Sequence, residues 1–243
     1  MFMEQVEDAW LISSETRLLK EGEIHVWRAS LDQDDLSAET LFNILSSDER
    51  QRSDKFRFDK DRKRFIMSRG ILRKILSGYL HKSPDQICFS YGNFGKPALI
   101  AGAGLSFNLS HSQGLALYAV TRNREIGIDI EAINENVAIQ RIAKKVLTPS
   151  ETPFLSALVP GFLRPAVFYR YWTRREAFVK ASGKGLSVSN EEMAVSLDPR
   201  KKKWSYISLP VIFGYAAAIA VEGSISNIRC WQYPNLDVDK KSV

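Results

Sequence analysis

The sequence predicts an α+β fold, and three observations lead there. Segments with strand periodicity come in runs, at 105–131 and again at 193–232, instead of alternating one by one with helices as a parallel βαβ sheet requires. Two long segments, 61–80 and 165–182, carry helical periodicity. The composition is that of an ordinary globular chain, with 44% hydrophobic and 26% charged residues over 243 positions, which is enough for a real core.

In chain order, "EIHVWRASL" reads as an early strand, followed by a polar turn and a helix over 38–45. "DRKRFIMSRGILRKILSGYL" sets Phe65, Leu72, Ile75, Leu76 and Tyr79 at near-helical spacing with bases on the other side, an amphipathic helix. "SPDQI" starts a short helical turn, and Gly92, Gly95, Lys96 and Pro97 then impose a loop. "LSFNLS" alternates, with Leu105, Phe107 and Leu109 on one face. "LALYAVT" and "EIGIDIE" are two further strands that "RNR" should join as a hairpin. "VAIQRIAKKVL" reads as a helix, and Thr148, Pro149 and Glu151 restart one as cap, first turn and capping box. A long helix enters at Pro165 and stops at Gly183 and Gly185. "MAVSL", "WSYISL", "GYAAAIAVE" and "IRCWQY" close the chain as strands. This order suggests two halves, 1–122 and 123–243, each a small antiparallel sheet with packed helices, and a cleft between them as the place for a ligand.

The net charge of +6 is unevenly spread: positions 50–74 hold 11 of the 34 Lys and Arg residues and three acids. Such an excess either is a solvated helix face or attracts an anion, whether phosphate, an acidic protein or nucleic acid. Nucleic acid is not expected, because no recognition motif accompanies the basic helix and Phe65 falls on its apolar face. Cys88 and Cys230 form neither a disulfide framework nor a metal knuckle, which fits a reducing cytosol. The N-terminus lacks a signal-peptide pattern, and "VIFGYAAAIAV" is too short to span a bilayer as a helix. A soluble cytoplasmic protein without membrane contact is the expectation.

The chemistry concentrates in four segments. In "GIDIE", Ile126, Ile128 and Ile130 point one way while Gly127, Asp129 and Glu131 point the other, so two carboxylates stand roughly 6–7 Å apart on one face. They need a cation or a proton between them, unless they are simply solvated. Oxygen ligands of this kind suit Mg2+, which takes one or two carboxylates together with substrate phosphate oxygens. On the long helix Trp172, Glu176 and Lys180 are four apart and share a face, with Arg174, Arg175 and Lys184 nearby. This is a surface salt bridge or a phosphate-facing helix. "FNLSHS" brings Ser110 and His111 to a strand end. No acid can be placed beside them and no G-x-S-x-G occurs, which rejects a Ser-His-Asp hydrolase. "GNFGKP" is a glycine turn with one Lys, not a Walker loop.

Taken in order and at these spacings, "FGKP", "FNLSHS", "GIDIE" and "WTRREAFVKASGKGL" resemble the Sfp-type 4'-phosphopantetheinyl transferases, and the basic stretch at 50–65 looks like that family's early basic segment. The resemblance implies a pseudo-dimer of two similar α+β halves with coenzyme A in the cleft. It also implies transfer of the phosphopantetheine arm of coenzyme A to a serine of an apo acyl or peptidyl carrier protein, with release of adenosine 3',5'-bisphosphate. By the family pattern, Asp129, Glu131 and Glu176 would hold Mg2+, Glu176 would take the serine proton, and Lys180 would neutralise developing phosphate charge. Gly95, Lys96 and Pro97 would hold the adenine end of coenzyme A. Ser110, His111, Arg52 and Arg64 would lie by its 3'-phosphate. Arg175 stands where the family commonly has Lys, and its planar fork would rebuild that phosphate contact. The implied protein is a monomeric holo-carrier synthase serving fatty-acid, polyketide or nonribosomal-peptide carriers. A Mg2+-dependent phosphohydrolase using the same carboxylates is the competing enzyme reading.

Overall fold

A computed structural model describes residues 6–13, 15, 18–33, 35–100, 104–136, 139, 142–143, 147–148, 151–153, 155, 159–185, 188–198 and 203–235. The strands are β1 (Val6–Ile12), β2 (Glu23–Ser30), β3 (Phe89–Tyr91), β4 (Pro97–Leu99), β5 (Leu105–Ser112), β6 (Leu115–Arg122), β7 (Ile126–Ala132), β8 (Trp204–Ser208), β9 (Tyr215–Glu222) and β10 (Asn227–Gln232). Among the described residues the helices longer than one turn are α1 (Asp35–Phe42), α2 (Ser47–Ser53), α3 (Asp59–Leu80), α4 (Arg164–Ser182) and α5 (Asn190–Ser196). The helix expected over 137–147, and Pro149 of the expected capping box, fall largely or wholly outside the described residues.

Four layers stack: helices, a five-stranded sheet, a three-stranded sheet, helices. The larger sheet runs β1-β10-β2-β6-β5 and the smaller β7-β9-β8, with β3 and β4 as a separate hairpin. Strand β6 explains the arrangement. Ala116, Tyr118 and Val120 join Leu72, Ile75 and Leu76 of α3 in one core, while Leu115, Leu117 and Ala119 join Ile126, Ile128 and Ile130 of β7 in another. Both of its faces are covered, so β6 reads as a continuous apolar run instead of an alternating one. On the far side, Ala218 and Ala220 of β9 pack under Ala177, Phe178 and Ala181 of α4 and Met193 of α5. Small residues there let the helix lie close to the sheet.

The α+β class and the paired small sheets match the expectation, and three local readings need correction. Strands β6 and β7 do not form a hairpin. Strand β6 already has β2 on one edge and β5 on the other, so β7 pairs with β9 in the second sheet. The "RNR" turn carries the chain across, pinned by the Arg124 guanidinium on the carbonyls of Gly22 and Ser224. "MAVSL" belongs to α5, not to a strand. A capping box precedes it, in which Ser189 Oγ accepts from the Glu192 N–H at 3.1 Å and Glu192 Oε2 accepts from the Ser189 N–H at 3.2 Å. Phe65 is not core: it lies 5.3 Å from the Phe56 ring, with the Arg52 guanidinium 5.6 Å over its own ring. One topological feature was not anticipated. Strand β10 enters the larger sheet between β1 and β2 and runs parallel to both, so the end of the chain completes the sheet of its beginning.

Part of the basic segment is internal. Buried Glu49 accepts from Arg69 Nε at 2.9 Å and from Arg73 Nε at 2.6 Å. Arg69 also donates to the Tyr91 hydroxyl, and Arg73 to the carbonyls of Pro84 and Ile87, so the two guanidiniums are partnered inside the fold and withdrawn from any external anion. Among the described residues no helix is long and apolar enough to cross a membrane.

Candidate active site

The site begins with a glycine. A Cβ at Gly127 would lie 2.0 Å from the Ala177 carbonyl oxygen and 2.4 Å from the Ala181 nitrogen, so α4 lies directly on the β7 backbone. That contact sets the helix face of Trp172, Glu176 and Lys180 along the strand face of Asp129 and Glu131. The helix stops at Gly183, whose positive φ of 65° closes its C-terminus.

The cation sought between the carboxylates is in part an ammonium. Lys180 Nζ donates to Asp129 Oδ1 and to Ser110 Oγ, both at 2.7 Å, while Ser110 Oγ donates to the same Asp129 oxygen at 2.9 Å. Asp129 is 3% exposed, and its Oδ2 is buried without a hydrogen-bond partner. Glu131 accepts from Ser112 Oγ at 2.9 Å, and the nearby Trp172 side chain pulls its pKa down against the rise that burial causes. Three carboxylates therefore face one ammonium.

Burial dominates their protonation equilibria. Burial raises the Asp129 pKa against the pull of Lys180 and Ser110. Burial also raises that of Glu131, with Asp129 adding to it. For Glu176 burial acts first, then repulsion from Asp129, with Lys180 and Arg175 opposing and Glu131 adding. Such a cluster favours arrival of further positive charge. Among the described residues no group of three or more His, Cys, Asp or Glu side chains is arranged to hold a metal ion, the expected set of Asp129, Glu131 and Glu176 included. Mg2+ seldom relies on protein ligands alone; it binds through one or two carboxylates and completes its shell with phosphate oxygens and water. The orphaned, buried Asp129 Oδ2 and the surplus of carboxylates fit that ion.

Two recesses flank the cluster. The first, about 260 Å³, is lined by Gly95, Lys96, Pro97, Lys180, Gly183 and Phe94 among others. The second, about 250 Å³, is lined by Phe56, Asp61, Arg64, Phe65, His111 and Gln113. Each falls below the roughly 300–1,000 Å³ of a drug-sized ligand pocket, so a long ligand would have to occupy both. Ser110 and His111 are adjacent on β5 and so face opposite sides, Ser110 toward Lys180 and His111 into the second recess. His111 keeps an exposed surface, yet desolvation by its surroundings, then Lys180 and Arg64, lower its pKa. An anion there would reverse the effect of those charges.

The structure leaves the remaining expected residues with present partners. Arg64 forms a two-bonded fork with Asp32, 2.7 Å at each contact. Lys96 Nζ donates to Glu125 at 2.8 Å and to the Ala181 carbonyl at 3.1 Å, at the end of α4. Arg52 stacks on Phe65 at the rim of the second recess. Arg175 donates to Val188 O at 2.7 Å and Asn190 Oδ1 at 2.8 Å, bracing the turn into α5, and Lys184 pairs with Glu192 at 2.6 Å. The basic crowd expected around Glu176 thus thins, and a phosphate contact by Arg175 would require it to leave these bonds. Ser112 and Asn108 went unnoticed in the sequence reading, although the alternation of polar 108, 110 and 112 with Leu105, Phe107 and Leu109 was visible as a signal.

The chain is similar to known proteins along most of its length. A family model described as the 4'-phosphopantetheinyl transferase superfamily matches residues 125–222, and one described as 4'-phosphopantetheinyl transferase, N-terminal, matches residues 26–123. The 4'-phosphopantetheinyl transferase HetI of Nostoc sp. is 39% identical over 238 residues, covering 94% of this chain and 100% of that protein. A 4'-phosphopantetheinyl transferase of Bacillus subtilis is 30% identical over 65% of this chain and 68% of its own length. The 4'-phosphopantetheinyl transferase Sfp of Bacillus subtilis strain 168 is 28% identical over 65% of this chain and 69% of its own length. Matched by two adjoining family models and along the whole of a relative, the chain belongs to the 4'-phosphopantetheinyl transferase superfamily.

Proposed function

We propose that the protein transfers the 4'-phosphopantetheine group of coenzyme A to a serine hydroxyl of an apo acyl or peptidyl carrier protein, as a holo-carrier synthase. The observation that carries this reading is the cluster of Asp129, Glu131, Glu176 and Lys180 between two recesses that each offer basic side chains. Membership of the family supports the same activity.

Asp129, Glu131 and Glu176 would hold Mg2+, which when bound neutralises charge on the pyrophosphate of coenzyme A. Glu176 is half-buried and its pKa is raised, which suits a general base that takes the proton of the carrier serine. The serine oxygen then bonds to the β-phosphorus. The bond from that phosphorus to the bridging oxygen breaks, and adenosine 3',5'-bisphosphate leaves with the electron pair. Lys180, fixed by Asp129 and Ser110, places a positive charge where the phosphoryl oxygens gain negative charge. Gly95, Lys96 and Pro97 would receive the adenine end of coenzyme A. Arg64 and His111, with Arg52 at the rim, would receive its 3'-phosphate after Asp32 yields the Arg64 fork.

The test is product stoichiometry. With coenzyme A and Mg2+, adenosine 3',5'-bisphosphate should appear only when apo carrier is added, one per carrier consumed. Consumption of coenzyme A without any carrier would instead establish the phosphohydrolase reading.

A further inference from the structure

The edge of β7 that faces β5 is met by side chains. Asn108 Oδ1 accepts from the Ile128 N–H at 2.9 Å, Ser110 reaches Asp129, and Ser112 reaches both Glu131 and the Ala132 N–H. The opposite edge of β7 carries an ordinary antiparallel ladder to β9. Three polar side chains of the larger sheet thus stand where a main-chain ladder would otherwise join the two sheets.

Ser112 has one hydroxyl hydrogen to give. The Ala132 N–H, 3.0 Å away, occupies an acceptor position on Oγ, so the hydrogen is directed elsewhere, and Glu131 Oε2 takes it at 2.9 Å. On α4 the Trp172 indole, a donor only, lies near enough to the same carboxylate to oppose the rise in its pKa. Glu131 of the smaller sheet is thus tied to the larger one, at the cluster where Lys180 already engages Asp129.

We infer that Ser112 is a positioning residue that fixes the Glu131 carboxylate for ion and phosphate binding. The inference rests on the reading of the carboxylate cluster given above. Ser112 touches neither coenzyme A nor the reacting atoms in that scheme; it acts through Glu131. Outer partners of this kind typically contribute about 10–100-fold to metal affinity or activity.

The test uses the full chain as wild type, Ser112→Ala and Ser112→Thr. Calorimetric titration of Mg2+ in the presence of coenzyme A should show affinity reduced by roughly 10-fold in Ser112→Ala and largely restored in Ser112→Thr. The value of kcat should fall in parallel, while KM for the apo carrier stays as in wild type. Indole N–H resonances provide a readout independent of the ion. The chain has five Trp residues, and the Trp172 signal should move in ion-free Ser112→Ala and return in Ser112→Thr. A lower Tm with unchanged Mg2+ affinity and an unmoved Trp172 signal would reduce Ser112 to a structural role and overturn the inference. A moved and rescued Trp172 signal in a chain that transfers nothing to any carrier would support the positioning role and sink only the proposed function.

Discussion

Replacing Glu176 with Gln should make the ligand-free protein more stable while removing most of its turnover. Asp129 and Glu131 stand about 6–7 Å apart on one strand face, where two unit charges at an effective dielectric near 20 repel by about 2.5 kcal/mol. Glu176 adds a third negative charge that senses both, while the Lys180 ammonium is bonded to the Asp129 carboxylate. Screening at a half-buried position reduces the relief to about 1 kcal/mol. For a chain of this size that raises Tm by roughly 2–4 °C. The sign with pH follows from the raised pKa. A carboxyl that binds its proton more tightly in the folded state opposes folding when ionised, and that opposition fades as pH falls first through the folded and then to the unfolded pKa. Thermal melts of wild type and Glu176→Gln without metal, from pH 8 down to pH 5, should show the variant's advantage greatest at pH 8. Loss of a general base should lower kcat by about 10²–10⁴-fold. A variant that is less stable at pH 8 would refute the charge surplus, and one with near-normal kcat would refute the role of Glu176.

Three further outcomes are expected. Gly127→Ala should cost about 1–3 kcal/mol in urea unfolding and lower kcat by roughly 10²-fold, because backbone atoms of α4 block the new methyl and the helix must move with Glu176 and Lys180. Full activity there would show that the helix–strand contact is not what sets the site. Glu49→Ala should destabilise by about 3–5 kcal/mol, since it leaves Arg69 and Arg73 buried without a counter-charge. His25 is fully buried against Tyr79, and burial lowers its pKa from 6.5 to about 4. Its contribution is complete above pH 6.5 and is lost as pH falls toward 4, on the order of 3 kcal/mol. His25→Gln should flatten that part of the stability profile, and an unaltered pH slope would contradict the assignment.

Much of the site was legible because it follows from periodicity. The period of two in "GIDIE" put Asp129 and Glu131 on one face, the period of 3.6 put Trp172, Glu176 and Lys180 on another, and the structure lays those faces together. What could not be read is long-range. Nothing in "RNR" tells whether β7 pairs with β6 or with β9, because that choice depends on β2 and β5 already occupying both edges of β6. The parallel insertion of β10 has the same origin, a pairing across about 200 residues of chain with no local signal. The basic excess at 50–74 overstated the charge offered to an anion, since a sequence does not show that Glu49 engages Arg69 and Arg73 inside the fold. The error over "MAVSL" was avoidable, for Ser189 and Glu192 had the capping-box spacing in plain view.

The central claim is that this chain moves phosphopantetheine from coenzyme A onto a carrier serine with the help of the Asp129, Glu131 and Glu176 cluster. Intact-mass spectrometry of an apo carrier incubated with enzyme, coenzyme A and Mg2+ tests it most directly. The carrier should gain one phosphopantetheine, the gain should vanish with EDTA, and it should be absent when the carrier serine is replaced by Ala. No gain on acyl and peptidyl carriers at high enzyme concentration would contradict the claim, and gain that persists in EDTA would remove the metal from it.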